Sequence, residues 1–257
     1  MKRILLTILA LLSFNAFSLD KVVLTDTNTV ILNEVVSSQS VTRVMTEIQN
    51  LNGILEDKSP INLVLYTPGG SVFDGLALIR FLKQSRRPVN TITIFAASMG
   101  FQIVEANPGE RLVAEGSTIM SHRAAVDGIG GQFPGELNTR VDMLMAITES
   151  IDAGVVARTN GKQTKESYAK LIQNEYYGLP NRAIADGFAD KEVQIVCDGT
   201  LNSTTDRTYM TVFGPIHVEF SKCPLITSPV AVHFGDSSLN EKHSAFEEFT
   251  RTFQFRK

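Results

Sequence analysis

Apolar runs of strand type alternate with segments of helical spacing from about residue 28 to about residue 197. The run INLVLYTPGG (61–70) is almost continuously apolar and ends in a Pro-Gly-Gly turn, and VNTITIF (89–95) is of the same kind. Segments 40–51 and 72–85 carry apolar residues at the spacing of an amphipathic helix. Strands that are apolar on both faces are expected where helices cover a parallel sheet. The pattern therefore predicts an α/β fold with a largely parallel sheet.

The other segments of this region continue the alternation. Further strands are expected at 28–36, 111–114, 118–124 and 188–197. A short helix is predicted at 181–187, closed by its terminal glycine. A long helix is predicted at 135–160, and its apolar stripe consists of Leu137, Val141, Leu144, Ile147, Ile151 and Val155.

The chain changes character after about residue 198. The short runs TYMTVF, IHVEF and VAVHF alternate between Gly, Pro and Ser residues, which predicts a small β-rich appendage. The last stretch, 244–257, places phenylalanines at 246, 249, 253 and 255. We favour a terminal helix that packs on its own domain, with a docking helix or a swapped arm as the alternatives.

The first residues have the pattern of a secretory signal peptide. A basic start, an apolar run and small residues before the bond after Ser18 indicate cleavage there. The apolar run is shorter than the roughly 20 residues of a membrane span, so we favour cleavage over an uncleaved anchor. The expected organisation is a signal peptide at 1–18, a main domain at 19–197 and an extension at 198–257. The mature protein is expected in the periplasm or outside the cell, not in the membrane.

Composition and charge narrow the possible partners. The chain has 257 residues, of which 43% are hydrophobic and 20% charged, which suits one large globular domain with an appendage. The net charge is −3 and becomes more negative once the basic start is removed, and no basic stripe remains, which argues against nucleic acid as a partner. In an exported protein, Cys197 and Cys223 are expected to form a disulfide, although two free buried thiols remain an alternative.

Ser98 is the first candidate for chemistry. It lies where the strand 89–95 gives way to a short helix, among the small residues Ala96, Ala97 and Gly100. The first amides of a helix are unpaired and carry partial positive charge, so they can stabilise a developing oxyanion. Serine is also a preferred helix cap, and that ordinary role is the alternative for Ser98.

Three other features fit a nucleophilic serine. The turn at 67–72 can expose the Gly70 amide toward an oxyanion. His122 lies at the end of a later strand-like run, and acidic residues follow farther along the chain. A nucleophile, a base, an orienting group and a pair of donors are the parts of an acyl-transfer site.

The motifs INLVLYTPGGSVFDGLALIRFLK, FAASMG, TIMSHRAA and AIADGFAD resemble those of the Clp protease proteolytic subunit and its phage-type relatives. The resemblance runs from about residue 28 to about residue 190, with the motifs in the same order and at similar spacings, in what would be an exported variant. It implies a ClpP/crotonase-like fold of repeated ββα units, and a serine peptidase with a triad of the Ser-His-Asp type.

Carried over by position, the resemblance makes Ser98 the nucleophile and His122 the general base. The amides of Gly70 and Met99 would form the oxyanion hole.

The third triad residue departs from the family pattern. The position that matches the family's aspartate is Glu175, preceded by Asn174. A glutamate can accept the imidazole N–H and stabilise its positive charge, whereas Asn174 could only orient the ring, so we favour Glu175. The alternative is that Glu175 is a solvated carboxylate at a helix end. Asp127 and Asp152 are outside candidates that have only their charge in their favour.

The expected function is a serine endopeptidase. Clp-type peptidases are usually fed by an ATP-driven unfoldase, and ATP is not expected in the exported compartment, so we expect cleavage of short or unfolded peptides without an ATPase. The helix predicted at 135–158 resembles the family's handle helix, and a homo-oligomeric ring is expected. We expect no cofactor and no metal, since His217, His233 and His243 lack metal-ligand spacing.

Two other classes of protein remain as alternatives. One is a catalytically inactive scaffold that has kept the fold and binds a partner through its tail. The other is a crotonase-type acyl-CoA enzyme, which would share the fold and an oxyanion hole but does not need a serine nucleophile.

Overall fold

The computed structural model describes residues 19–54, 58–126 and 129–235. The expected signal peptide, the phenylalanine-containing stretch 244–257, Asp127 and His243 lie outside these residues. Among the residues described, no helix combines the length and apolar character of a membrane span.

A seven-stranded sheet runs through the main body of the described chain, in the order β1-β7-β5-β4-β3-β2, with β6 paired to β5. Its strands are β1 (Asp20–Leu24), β2 (Thr29–Leu32), β3 (Ile61–Thr67), β4 (Val89–Ala97), β5 (Arg111–Ser121), β6 (Tyr176–Gly178) and β7 (Lys191–Cys197). Neighbouring strands along the main order are parallel, whereas β6 is antiparallel to β5. The predicted parallel α/β sheet is confirmed.

The α-helices of the described residues number six and connect these strands: α1 (Ser38–Asn52), α2 (Val72–Leu82), α3 (Met99–Ala106), α4 (Gly135–Arg158), α5 (Lys165–Leu171) and α6 (Pro180–Asp186). Local sequence sets their ends. Ser37 caps α1 in a reciprocal pair of hydrogen bonds with Ser40. Pro180 begins α6, and Gly187 ends it in the left-handed conformation, as the sequence predicts.

The core lies on both faces of the sheet. Leu63 and Leu65 of β3 pack on one face with residues of α1, α2 and α3. Val64 of the same strand packs on the other face with Ile92 and Leu112. Burial on both faces explains why β3 is a continuous apolar run rather than an alternating one.

A small antiparallel sheet follows the main one, in the order β10-β9-β8. It is formed by β8 (Thr204–Thr211), β9 (Gly214–Ser221) and β10 (Ala231–Phe234). The disulfide Cys197–Cys223 ties it to the end of β7, and Leu201 adds to the core on that face of the main sheet. The β-rich appendage and the disulfide are therefore present as expected, whereas the domain boundaries of the sequence analysis stay a prediction.

Several elements differ from the expectation. The two strand pieces at 111–114 and 118–124 form one strand, β5, whose register against β4 shifts between Thr93 and Phe95. The strand β1, the helix α5 and the strand β6 were not predicted, because each is short and α5 is largely polar. The expected long helix is present as α4, and of its apolar stripe only Val155 is buried. Leu144, Ile147 and Ile151 line a cavity, and Val141 is exposed.

The buried guanidinium of Arg111 fastens the C-terminal end of α3 to β5. It donates to Glu105 Oε2 at 2.6 Å and to Asp190 Oδ1 at 2.7 Å, so that one guanidinium contacts two carboxyl groups. Glu105 is fully buried, and this burial raises its pKa to about 8, against the opposing effect of Arg111. Burial of Asp190 is outweighed by its hydrogen bonds from Arg111, which lower its pKa. Glu105 is therefore the carboxyl group that holds a proton at neutral pH.

The replacement Glu105→Gln tests this protonation. The pKa of Glu105 is about 8 in the folded chain and close to 4.5 in the unfolded chain. At a pH between these two values, Glu105 is deprotonated in the unfolded chain and protonated in the folded chain. The unfolding free energy of the wild type should therefore fall relative to that of Glu105→Gln across this range, by at most about 1.4 kcal/mol per pH unit. Urea denaturation of both proteins at several pH values measures the difference, and parallel profiles would contradict the assignment.

Candidate active site

Ser98 adopts a strained backbone conformation at the junction of β4 and α3. Its φ is 54° and its ψ is −118°, a region that residues with a side chain rarely occupy. The Ser98 side chain makes no capping hydrogen bond to α3, so the ordinary role of a helix cap does not explain this serine. The hydroxyl is therefore not engaged by the helix backbone and is available for other chemistry.

His122 is brought to the same edge of the sheet by strand register. Ala97 pairs with Met120, and the Ser98 amide donates to the Met120 carbonyl at 2.9 Å. His122 follows β5 directly, two residues beyond Met120. Because β4 and β5 are parallel, the serine and the histidine both leave the sheet at its carboxyl edge.

The buried residue before His122 fixes the end of β5. Ser121 Oγ and the hydroxyl of Tyr168, on α5, are 2.9 Å apart, and both side chains are buried. Burial raises the pKa of Tyr168 to about 12, so this hydroxyl stays protonated and the bond persists at physiological pH. α5 was not predicted from the sequence, yet it supplies this support for the histidine.

The Gly69–Gly70 turn lies directly against Ser98. A Cβ on Gly69 would stand 2.7 Å from Ser98 Cβ and 2.8 Å from the Met99 nitrogen, closer than real side chains allow. Both glycines have positive φ, 91° for Gly69 and 147° for Gly70. Glycine is therefore required here both for backbone conformation and for the close approach of the turn to the serine.

The two expected oxyanion donors have free amides. Within the described residues, the Gly70 N–H makes no hydrogen bond, since its neighbours Gly69 and Ser71 make the contacts to Val36. The Met99 N–H belongs to the first turn of α3, where amides have no partner within the helix. The buried Met99 side chain packs against Gly75 of α2, which holds the start of α3 in place.

A cavity of about 310 Å³ joins these groups. Its walls include the four residues expected at the catalytic centre, Ser98, His122, Gly70 and Met99. Most of the rest of the lining is apolar and comes from α2, α4 and the segment after His122, and it includes Val72, Phe73, Val126, Leu144, Ile147 and Ile151. The cavity therefore combines a hydroxyl, an imidazole and two amides with an apolar wall, as a peptide-binding site would require.

Glu175 lies outside this cavity. It is exposed, and its carboxylate accepts a hydrogen bond from the Tyr177 hydroxyl at 3.2 Å. Across the described residues, the side chains of Ser98 and His122 form no hydrogen bond with each other or with any third group. The structure thus brings four of the expected residues together and leaves the fifth on the surface, so the assignment of Glu175 to the triad stays a prediction.

Asp152 is a carboxylate that does line the cavity. Burial raises its pKa, against the opposing effects of Lys165 and Arg123. In the sequence, the charge of Asp152 was the one feature that made it a candidate for the triad. The pattern of α4 does not show that residue 152 lies on the same side of the helix as Ser98 and His122. In the part of the chain that the structure describes, no three His, Cys, Asp or Glu residues come together as metal ligands.

Gln102 is a lining residue that the sequence analysis did not consider. It lies one helical turn after Ser98, at the i+4 spacing that places two side chains on one face of a helix. Its Oε1 atom is buried without a hydrogen-bond partner among the described residues. The spacing of four residues from Ser98 is the feature of the sequence that could have identified Gln102 as a lining residue. Because its Oε1 atom is an unpaired acceptor, Gln102 is a candidate for contact with a substrate N–H group.

The chain is similar to known Clp proteins over its main body. The family model "Clp protease" matches residues 17–196. The ATP-dependent Clp protease proteolytic subunit 1 of Prochlorococcus marinus (strain MIT 9312) is 28% identical over 163 residues, which cover 63% of this chain and 81% of that protein. The ATP-dependent Clp protease proteolytic subunit 2 of Synechococcus sp. (strain CC9605) is 27% identical over 166 residues, covering 64% and 82% respectively. The sheet β8–β10 follows the matched region.

Replacing Ser98 by glycine tests the backbone strain. A residue held at such angles costs about 1 to 3 kcal/mol, and glycine relieves this at an entropic cost of about 0.5 to 1 kcal/mol. Ser98→Gly should therefore have a higher free energy of unfolding than Ser98→Ala, by about 1 kcal/mol. The matched control Ala97→Gly, at an ordinary strand position, should be less stable than the wild type. Denaturant titration measures all three, and equal stability of Ser98→Gly and Ser98→Ala would show that the position is unstrained.

Proposed function

The chain belongs to the Clp protease family, and from this membership we propose that it is a serine endopeptidase in which Ser98 and His122 carry the reaction. The observation that carries the proposal is the hydroxyl of Ser98. It is free of capping, it is held at strained backbone angles, and it shares a cavity with His122 and two unpaired amides. A scaffold with no reaction to perform has no use for this combination.

In the proposed reaction, Ser98 Oγ attacks the carbonyl carbon of the scissile peptide bond while His122 accepts its proton. The amides of Gly70 and Met99 donate to the oxyanion, and one such donor is typically worth about 3 to 4 kcal/mol in the transition state. His122 then returns the proton to the leaving amine, and water releases the acyl group by the same steps in reverse.

The substrate is proposed to be a short or unfolded peptide with apolar side chains. The wall contributed by Leu144, Ile147 and Ile151 supports this, because an apolar side chain next to the scissile bond would be buried there. Export is supported by the sequence of the first residues, and action without an ATPase follows from that expected location. Both are proposals that rest on the sequence pattern.

The third member of the triad is proposed to be Glu175, which matches the family's aspartate by position. Its carboxylate is on the surface in the single chain, so the proposal includes a movement of residues 172–176 or of His122 when the active form assembles. Glu175 itself has a positive φ of 64°, which marks a backbone position that another conformation would relax. Asp152, which already lines the cavity, is the competing candidate.

Assembly into a homo-oligomeric ring is proposed from family membership and from α4. This helix of 24 residues exposes large apolar side chains, and two of them, Val141 and Met145, lie four residues apart on one face. A second copy of the chain would cover this face and could complete the wall of the cavity.

The alternative function is a catalytically inactive scaffold. It is favoured by one observation, namely that the side chains of Ser98 and His122 form no hydrogen bond with each other in the described structure. The labelling experiment below separates the two functions.

A serine-reactive phosphonate probe tests the nucleophile. The mature protein should be labelled at Ser98, and Ser98→Ala should lose the label completely. His122→Ala should slow labelling and peptide cleavage by at least about 100-fold, because general-base assistance is worth about that much. Mass spectrometry locates the label. Folded, assembled protein that is neither labelled nor active would support the scaffold.

The acidic member is tested by Glu175→Gln and Asp152→Asn. If Glu175 orients and stabilises the imidazolium, Glu175→Gln should lower kcat by about 100-fold or more while leaving KM nearly unchanged. Asp152→Asn serves as the matched comparison and should stay within a few-fold of the wild type. The opposite ranking of the two variants would assign the role to Asp152.

Assembly is tested by size-exclusion chromatography with light scattering. We expect a mass of several subunits for the mature protein. Met145→Glu should shift the protein toward smaller species, because a charge would be buried in the contact. Met210→Glu, at an even more exposed methionine of β8, serves as the control and should not. A wild-type protein that is only monomeric would rule out the ring.

A further inference from the structure

The small sheet contacts the main body at Glu34, in the loop between β2 and α1. Arg207 of β8 donates from one nitrogen to Asn33 Oδ1 at 2.7 Å and to Glu34 Oε1 at 3.1 Å. The Tyr209 hydroxyl, also on β8, donates to Glu34 Oε2 at 3.4 Å. Both oxygens of one carboxylate therefore receive hydrogen bonds from the sheet.

Glu34 is also held from within the main body. Arg43 of α1 donates to Glu34 Oε1 at 2.8 Å and to the carbonyl of Ile31 at 3.0 Å. The Glu34 side chain is only 21% exposed, and that of Arg207 only 11%. Charged pairs with this degree of burial are stronger and more rigid than pairs on an open surface.

The backbone of the same loop holds the glycine turn beside Ser98. The Thr67 hydroxyl donates to the Glu34 carbonyl at 2.6 Å and accepts from the Gly69 amide at 3.1 Å. Two residues farther along, the Val36 amide donates to the Gly69 carbonyl, and the Val36 carbonyl accepts from the Ser71 amide, each at 2.8 Å. The loop 33–36 thus fixes the turn on both sides of Gly70.

We propose that Arg207 is a positioning residue for the oxyanion hole, which it supports through Glu34 and the loop 33–36. This inference rests on the proposed function, because it assigns a purpose to the Gly70 amide. It makes the sheet β8–β10 a part of the catalytic unit, although that sheet lies beyond the region matched by the family model.

The contacts of Arg207 explain why it suits this purpose. Its guanidinium carbon lies 4.6 Å from the centre of the Phe220 ring on β9, which fixes the plane of the group. It has one short contact to Asn33 and one to Glu34, so it binds two successive residues of the loop. When Arg207 is removed, Arg43 still holds Glu34, so the loop should loosen without unfolding.

The test compares the rate at which the phosphonate probe labels Ser98 in four proteins. Arg207→Met should lower the maximal labelling rate by about 5- to 50-fold, less than the roughly 100- to 1,000-fold loss from removing an oxyanion donor. The half-saturating probe concentration should change less than about two-fold, because the oxyanion contact strengthens only in the transition state. Arg207→Lys should recover part of the rate. Lys222→Met removes a cation from the same region without touching Glu34 and should match the wild type.

The outcomes separate this inference from the proposed function. A wild-type protein that is not labelled refutes the proposed function, and this inference with it. A labelled wild type and an equally labelled, folded Arg207→Met leave the peptidase standing and refute only the role of Arg207. Equal losses in Arg207→Met and Lys222→Met also refute it. If Arg207→Met does not fold, the variants Arg207→Lys and Tyr209→Phe take its place. A lower maximal labelling rate at an unchanged half-saturating probe concentration supports the inference. Wild-type labelling rates in both variants overturn it.

Discussion

The close packing of the Gly69–Gly70 turn against Ser98 is the constraint on which the candidate site depends. The turn approaches so closely that no side chain fits at residue 69, and Ser98 itself is held at backbone angles that serine rarely adopts. Such strain persists only where the surroundings determine the backbone fully. Here the surroundings are two parallel strands on one side and the loop 33–36 on the other, so the geometry of the site is a property of the whole sheet edge.

The helix α3, which begins after Ser98, is held at both ends by contacts in the interior. It begins at the strained serine and has Glu105 in its last turn, where the buried Arg111 fastens it to β5 and to the segment before β7. The side chain of Met99 fixes the other end against α2. Both ends of the helix are therefore immobilised, which keeps the first amides of α3 directed toward the cavity. A helix of eight residues that was free at either end could not hold a donor so firmly.

Much of this arrangement could be predicted from the sequence, for physical reasons. Three features follow from local requirements that are visible in the sequence. Burial on both faces requires the apolar run of β3, and positive φ angles require the glycines of the Pro-Gly-Gly turn. Close packing requires the small residues around Ser98. The position of Glu175 outside the cavity could not be predicted, because a motif position does not specify where a side chain points. The roles of Asp152, Gln102 and Tyr168 depend on contacts between distant segments. The sequence alone does not show which part of the α4 stripe packs in the core, because an apolar face that lines a cavity or contacts another chain has the same periodicity.

The disulfide Cys197–Cys223 has a consequence for the contact between the small sheet and Glu34. It links the segment after β9 covalently to Cys197, the last residue of β7, in addition to the chain itself. If the bonds of Arg207 and Tyr209 break, the sheet cannot diffuse away, and they re-form as an intramolecular event at an effective concentration of about millimolar. The tether therefore lowers the entropic cost of re-forming the three hydrogen bonds of Arg207 and Tyr209, because no encounter between separate molecules is needed.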